Sequence, residues 1–138
     1  MAAWIQNISI WLGQSVSNES ELAQVVRRRI PTQIVSTFVA QGLTKDEFHD
    51  VVIPVRTFKH RKTRAEDLSV DESDKALRMA RILALAEDVF NNRGKALAWM
   101  RKPKKRFEGD TPMHMLQTEA GARLVEQMLI QVDEGMFA

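Results

Sequence analysis

Cysteine is absent from this chain of 138 residues, which excludes disulfides, thiolate metal sites and a cysteine nucleophile. Long apolar runs are absent as well, and none approaches the roughly eighteen residues that a membrane span needs. No lysine or arginine precedes Arg27, and polar residues interrupt the first apolar stretch, so the N-terminus lacks the pattern of a signal peptide. We therefore expect a soluble, cytoplasmic protein without a membrane partner.

The sequence also lacks the short motifs of common catalytic sites. His49, His60 and His114 do not have the H-E-x-x-H spacing of a zinc site, and there is no G-x-S-x-G turn and no glycine-rich phosphate loop. Because 28% of the residues are charged, carboxylates on helix faces are expected and do not indicate a catalytic pair. We predict that the chain is not an enzyme and has no catalytic residues, no cofactor and no metal site.

Charge is distributed unevenly, although the net charge is only +2. From Glu108 to the end there are six acids and one base, so this segment carries −5 and the first 107 residues carry +7. Such a division predicts two surfaces with different partners: a basic surface upstream and a non-basic surface near the C-terminus.

The apolar residues recur at helical spacing along the chain, and no segment alternates convincingly as a β-strand does. With 44% hydrophobic residues, 138 residues suffice for one compact domain or two small ones. We predict an all-α fold in three parts: an amphipathic helix within residues 1–19, a helix-turn-helix region over residues 20–75 and a helical domain over residues 76–138.

The first helix has one apolar face and should end near Gly13. Two alternatives are open for this face. It packs against the rest of its own chain, or it packs against a second copy of the chain and makes a dimer. The face contains Trp4, Ile5, Ile8, Trp11 and Leu12.

Capping residues and prolines divide the middle of the chain into further helices. One helix should run to Ile30, and the next should begin at Pro31 and end at Gly42. A third helix should begin with the capping box of Thr44 and Glu47.

A tight break at Ile53 and Pro54 separates the third helix from a fourth, over about residues 54–62, and this spacing is typical of a helix-turn-helix. Phe58 should point inward, which leaves a basic arc exposed. Arginine pairs with guanine edges, threonine contacts a thymine methyl group or a phosphate, and lysine binds the phosphate backbone. The candidate DNA-binding residues are Arg56, Thr57, Lys59, His60, Arg61, Lys62 and Arg64.

The turn of this helix pair departs from the usual pattern. Helix-turn-helix proteins generally have a small residue in the first helix and glycine in the turn, whereas this region holds His49, Val52 and Ile53. A solvated basic face that binds nothing is the alternative for the fourth helix, since runs of charge are usually exposed to solvent.

A capping sequence at residues 69–74 predicts the start of a long helix, and its apolar positions cover so much of the circumference that it should be central to the fold. Residues 91–94 should terminate this helix, and a shorter helix should follow and end before Pro103. The basic residues 101–106 predict a hinge and a boundary between modules.

Towards the C-terminus, Thr111 and Pro112 should begin a helical turn that runs through Leu116, and Thr118 should cap the last helix. The sequence then ends in G-M-F-A, although a free terminus is normally polar. Either this tail folds back onto its own chain or it contacts the surface of a partner. The predicted apolar face of the last helix contains Leu124, Val125, Met128, Leu129 and Val132.

Six segments together form a family pattern. They read V-I-P-V-R-T-F-K-H-R (52–61), L-S-V-D-E-S-D (68–74), R-I-L-A-L-A-E-D-V-F (81–90), K-A-L-A-W-M-R-K-P (95–103), T-P-M-H-M-L-Q-T-E-A-G (111–121) and G-M-F-A (135–138). In this order and spacing they resemble the recognition region, the helix cap, the central helix and the toxin-binding segments of the Xre/MbcA/ParS antitoxins. The resemblance covers roughly residues 20–138.

The resemblance implies an Xre-like helix-turn-helix domain followed by a small helical toxin-binding domain, in the antitoxin of a type II toxin–antitoxin pair. The family's usual partner is a RES-domain toxin that depletes NAD+, and the antitoxin neutralises it by covering its active site. The family also binds the double-stranded DNA of its own operon, usually as a dimer, so we expect a homodimer. The resemblance assigns toxin binding to Thr111, Pro112, Leu116, Gly135, Met136, Phe137 and Ala138.

Two other functions are open. A stand-alone helix-turn-helix regulator would use its C-terminal half to sense a ligand or to dimerise, and a protein that only binds toxin would have lost DNA binding. The upstream charge of +7 argues against the second.

The family turn often has arginine where this chain has Asp110, which reverses a charge beside the T-P turn.

Overall fold

The computed structural model describes residues 2–135, and these residues form nine α-helices and one 3-10 turn without any strand. The all-α prediction is therefore confirmed over this range. The helices are α1 (Ala2–Leu12), α2 (Glu19–Arg27), α3 (Ile34–Ala40), α4 (Lys45–Val51), α5 (Val55–Thr63), α6 (Val70–Phe90), α7 (Arg93–Met100), α8 (Pro112–Met115) and α9 (Glu119–Asp133), with the 3-10 turn at Lys105–Phe107.

Helix α6 is the centre of the fold, as its apolar pattern predicts. It begins at a capping box in which Ser69 Oγ accepts a hydrogen bond from the Glu72 N–H and Glu72 Oε1 accepts one from the Ser69 N–H. Ten of its residues are buried, because α1, α2, α7 and α9 pack around it. The helix ends at Asn91, whose left-handed φ of 52° stops it.

The apolar face of α1 packs against the core of its own chain. Ile8 and Trp11 are buried, the Trp11 ring meets the Phe38 ring edge to face at 5.6 Å, and the indole N–H donates to Glu87. Of the two alternatives for this face, packing within the chain is the one observed. Self-association through a different surface stays a prediction.

Two predicted helix ends are wrong by about a turn. Helix α3 begins at Ile34 rather than at Pro31, because residues 31–33 form a turn in which the Ile34 N–H bonds to the Pro31 carbonyl. Helix α2 ends at Arg27 rather than at Ile30, because Arg29 adopts a left-handed φ of 66°. Residues 91–94 end α6 as predicted, and Arg93 already begins α7. The side chain of Asn92 caps α7 by accepting a hydrogen bond from the Lys95 N–H at 2.8 Å.

A single hydrophobic core extends from α1 to α9, so the predicted boundary at residues 75 and 76 falls inside α6. The interpretation of residues 101–106 as a hinge is wrong. Arg101 bonds to Glu47 of α4, the Lys104 ammonium lies 4.6 Å from the centre of the Trp99 ring, and Arg106 bonds to Gln131 of α9. Arg101 ties the two halves together, and Lys104 and Arg106 hold the segment against the rest of the C-terminal half.

Helix α9 begins where Thr118 caps it, as predicted, but its buried face differs from the prediction. Leu124 is 48% exposed, whereas Gly121 and Ala122 are buried. Gly121 sits so close to the preceding turn that a Cβ atom at this position would lie 2.0 Å from the Met115 carbonyl oxygen. The close approach requires glycine and rotates the helix so that Leu124 faces outward.

Replacing Gly121 by alanine should destabilise the fold by about 1–3 kcal/mol, the usual cost of overpacking, although alanine normally stabilises a helix. Chemical denaturation followed by circular dichroism measures this cost. The control is Gly94→Ala in α7, where the added Cβ meets only the Asn92 side chain, at 3.2 Å, and the free energy of unfolding should change little. Equal effects of the two substitutions would contradict the assigned role of Gly121.

Candidate functional site

The helix pair α4 and α5 forms as the sequence predicts. Thr44 and Glu47 make both bonds of a capping box, and α5 begins directly after Pro54. In the break between the helices, a ring nitrogen of His49 lies 2.9 Å from the Ile53 carbonyl, and since a carbonyl only accepts, this nitrogen donates. The His49 ring also meets the ring of Phe58 at 5.1 Å, so the angle between the helices is fixed without a glycine.

A second helix pair precedes this one and contains the expected glycine. Residues 41–44 join α3 to α4, and Gly42 in this connection has a φ of 109°, a value that side chains rarely permit. A connection of this length with glycine fits a helix-turn-helix at least as well as the break at residues 52–54. The signal that sequence reasoning missed is the position of Gly42 just before the Thr44 cap.

Charge distinguishes the two helices that follow these turns. The exposed side chains of α4 include Lys45, Asp46 and Asp50, two of them acidic. Helix α5 contains no acidic residue, and apart from Val55 and Thr63 its exposed side chains form a basic face, with Arg64 at its C-terminal end. We call this the α5 basic face; its exposed members are Arg56, Lys59, His60, Lys62 and Arg64.

Two predicted DNA-binding residues are less exposed than the members of the α5 basic face. Thr57 is half-buried, and Arg61 forms a two-pronged ion pair with Glu72 of α6, with Nε–Oε1 and Nη2–Oε2 distances of 3.1 Å. Burial raises the pKa of Glu72, but hydrogen bonds from Arg61 and Ser69 outweigh this effect and hold the pKa below its usual value. This ion pair holds α5 against α6, and a contact between Arg61 and a base stays a prediction.

The predicted turn at Thr111 forms the start of α8. Pro112 occupies the first helical position, Thr111 Oγ1 accepts from the His114 N–H, and Asp110 Oδ1 accepts from the Thr111 N–H. Pro112 is buried and Leu116 is fully buried. The expectation that Pro112 and Leu116 contact a partner is therefore corrected: these side chains hold the turn from inside.

Arg78 of α6 fixes the other end of this turn. Its guanidinium lies 3.1 Å from a carboxylate oxygen of Glu119 and donates to the main-chain carbonyls of Leu116 and Gln117. Sequence reasoning did not single out Arg78, because its partners lie about forty residues away. The turn between α8 and α9 is thus held by hydrogen bonds from α6.

The predicted tail is only partly within the described residues. Gly135 follows the end of α9, is exposed and has a φ of 77°, whereas Met136, Phe137 and Ala138 lie outside the described residues. Two large apolar side chains of α9, Leu124 and Ile130, are exposed. Ile130 lines a groove of about 490 Å³ between α6 and α9 whose apolar lining includes Leu77, Ile82 and Ala122.

Asp50 of α4 is bound by the turn that contains α8. His114 Nδ1 lies 2.9 Å from Asp50 Oδ2, and the side-chain amide of Gln117 donates to Asp50 Oδ1 and to its main-chain carbonyl, both at 3.0 Å. The hydrogen bond with Asp50 raises the pKa of His114 above its ordinary value, against a smaller opposing effect of burial. This geometry gives His114 a structural role, because it joins the turn that contains α8 to α4.

Neither a membrane span nor a metal cluster is found in the part of the chain that the structure describes. Within residues 2–135, the helices are too short or too polar to cross a bilayer. Over the same range, no three histidine or carboxylate side chains lie together as the ligands of one metal ion would.

Comparison with known proteins assigns the family. Residues 21–81 match the model of the antitoxin Xre-like helix-turn-helix domain, and residues 85–135 match that of the antitoxin Xre/MbcA/ParS C-terminal toxin-binding domain. An antitoxin Xre of Pseudomonas putida is 46% identical over 114 residues, which cover 77% of this chain and 72% of the relative. The chain belongs to the Xre antitoxin family.

Two further relatives of the chain have lower sequence identity to it. An antitoxin Xre of Yersinia enterocolitica is 32% identical over 62% of this chain and 59% of its own length. A Sphingobium protein named Prs ADP-ribosylating antitoxin is 23% identical over 83% of this chain and 79% of its own length.

The family assignment confirms several predictions. This Xre antitoxin belongs to a toxin–antitoxin system, has a toxin as partner and carries a DNA-binding domain. The matching families are antitoxin and helix-turn-helix domains rather than enzymes, and the C-terminal match favours an antitoxin over a stand-alone regulator. The two family models meet at residues 82–84, inside α6, so both share one continuous helix.

The stability of this Xre antitoxin should depend on pH through His114. The raised pKa of the folded state means that the His114–Asp50 pair stabilises the fold fully below the ordinary value of 6.5, and that this contribution is lost as pH rises through the higher folded pKa. Because both side chains are nearly half exposed, the effect should not exceed about 0.5 kcal/mol.

Denaturation between pH 6 and pH 8 measures this effect in the wild type, His114→Ala and Asp50→Asn. The wild type should lose more stability over this interval than either variant, and the two variants should behave alike. Parallel pH dependence in all three proteins would show that the pair does not contribute.

Proposed function

We propose that this antitoxin represses its own operon through the α5 basic face and neutralises a RES-domain, NAD+-depleting toxin with its C-terminal half. The observation that carries the DNA-binding part is the charge of α5: apart from the uncharged Val55 and Thr63, its exposed side chains are basic, and none is acidic. A helix presents such side chains at a spacing that fits the major groove, where arginine and lysine contact base edges and phosphates.

Binding should occur as a homodimer on double-stranded operator DNA. Two copies related by a two-fold axis would place their α5 helices in two half-sites about 34 Å apart, one helical turn of DNA. The helix-turn-helix range, residues 21–81, has twelve lysine and arginine residues and nine acidic residues, a net charge of +3, so the affinity should fall with salt concentration.

Arg56→Ala should weaken operator binding by about 1–3 kcal/mol and relax sequence preference, because this exposed arginine lies near the start of α5. Fluorescence anisotropy with operator and scrambled duplexes measures both effects. The matched variant is Lys45→Ala, which removes an exposed base from the start of α4. We expect a smaller loss that is similar for both duplexes.

The reverse result would identify a different recognition helix. A large, sequence-dependent loss in Lys45→Ala together with unchanged binding of Arg56→Ala would place α4 in the groove, as the Gly42 turn would suggest. Equal binding of operator and scrambled DNA by the wild type would overturn the repressor function itself.

The toxin-neutralising part of the proposal rests on apolar surface near the C-terminus. Leu124 and Ile130 of α9 are exposed, and Met136 and Phe137 follow in the sequence. Each of Met136 and Phe137 would contribute about 1.5–3 kcal/mol if a toxin cleft buried it. The RES-domain identity of the toxin is what the resemblance of the sequence implies, and the terminal segment is proposed to cover its active site.

Deleting residues 136–138 leaves α9 and Gly135 intact and tests the role of the tail separately from that of the helix. The toxin should remain bound, with lower affinity, but should regain NAD+ hydrolysis in a fluorescence assay. Leu124→Ala serves as the comparison, since it should weaken binding without restoring activity in the saturated complex. Full inhibition by the truncated antitoxin would refute occlusion by the tail.

A further inference from the structure

One face of α7 contacts the turn between α3 and α4. Arg93, Leu97 and Arg101 are spaced four residues apart, at α7 and its C-terminal cap, and therefore lie on the same side. Arg93 donates to the Gln41 side chain, and Arg101 donates to the Gly42 carbonyl at 2.8 Å. Leu97 packs so closely on Gly42 that a Cβ atom there would lie 2.8 Å from its Cδ1 atom.

Arg101 also holds the first turn of α4. Its Nε atom lies 2.8 Å from Glu47 Oε2 and its Nη2 atom 2.9 Å from Glu47 Oε1, in the two-pronged geometry that only arginine provides. Glu47 is at the same time the acceptor of the α4 capping box. One guanidinium thus fixes the carbonyl of the turn and the start of the helix that follows.

Helix α4 contributes to the orientation of α5, which the Arg61–Glu72 ion pair also attaches to α6. Phe48 and His49 of α4 both meet the ring of Phe58 in α5, at 6.4 and 5.1 Å between ring centres. The bond from His49 to the Ile53 carbonyl closes the break between the two helices. A displacement at the start of α4 would therefore move the α5 basic face as well.

We propose that Arg101, which belongs to the toxin-binding half, is a positioning residue for operator binding: it sets α4 and the α3–α4 turn against α7, and through α4 it orients the α5 basic face. This inference rests on the proposed DNA-binding function. Arg101 lies within residues 85–135, the range of the toxin-binding family model, but the proposed role acts on the other half of the chain.

Two conservative substitutions separate positioning from charge. Glu47→Gln keeps an acceptor for the capping box but removes the ion pair with Arg101. Because it removes a negative charge from the DNA-binding half, electrostatics alone predicts tighter binding, whereas loss of positioning predicts weaker binding. Arg101→Lys keeps the charge but loses the fork, so a simple phosphate contact would survive it.

The experiment measures the dissociation constants of the full-length wild type and variants for operator and scrambled duplexes, at a temperature well below the Tm of every variant. Glu47→Gln and Arg101→Lys should each weaken operator binding about threefold to thirtyfold, with little change for scrambled DNA. The control is Lys102→Ala, which removes the exposed base next to Arg101 and should affect both duplexes slightly and equally.

The outcomes distinguish this inference from the function on which it rests. Operator binding by Glu47→Gln as tight as that of the wild type, or tighter, overturns the positioning role while leaving DNA binding intact. Wild-type affinity in Arg101→Lys does the same. A lower Tm with an unchanged operator affinity means that Arg101 only stabilises the fold, and it also overturns the inference. A wild type without operator preference refutes the DNA-binding function first.

Discussion

The burial of α6 on nearly every side is the constraint on which the rest of the structure depends. Four of its buried residues, Ala76, Ala80, Ala84 and Ala86, are small, so neighbouring helices approach it closely. The elements that carry function are then attached to this helix by polar contacts, with Glu72 binding α5 and Arg78 binding the turn before α9. Apolar packing sets the position of α6, and ion pairs set the orientation of α5 and of the turn before α9.

Two of the three carboxylates of α4 are bound by side chains of the C-terminal half, and Asp46 is exposed. Glu47 binds Arg101, and Asp50 binds His114 and Gln117, all contributed by the C-terminal half. Burial raises the pKa of Glu47, but the bonds from Arg101 and Thr44 lower it further, so this carboxylate stays ionised. Glu47 and Asp50 therefore serve contact between the halves, and most exposed basic side chains of this helix pair lie on α5.

Local features of the fold were predictable from the sequence, and features that depend on distant partners were not. The caps at Thr44, Ser69 and Thr118 involve residues three positions apart, so the sequence contains the whole interaction. Arg61 was predicted to bind DNA from its type and position, and Leu116 to contact a partner from the family resemblance. In the structure Arg61 pairs with Glu72, and Leu116 lies in the core. Leu124 faces outward because of the contact between Gly121 and Met115, and the spacing of the apolar residues does not reveal this contact.

The continuity of α6 has a consequence for recombination between members of this family. A crossover at residues 82–84, where the two family models meet, would join half of one buried helix to half of another. The new helix would have to match two sets of neighbours at once, since the packing of such a core tolerates few changes of volume. We expect functional chimeras to inherit α6 as a whole, together with the α7 face that rests on Gly42.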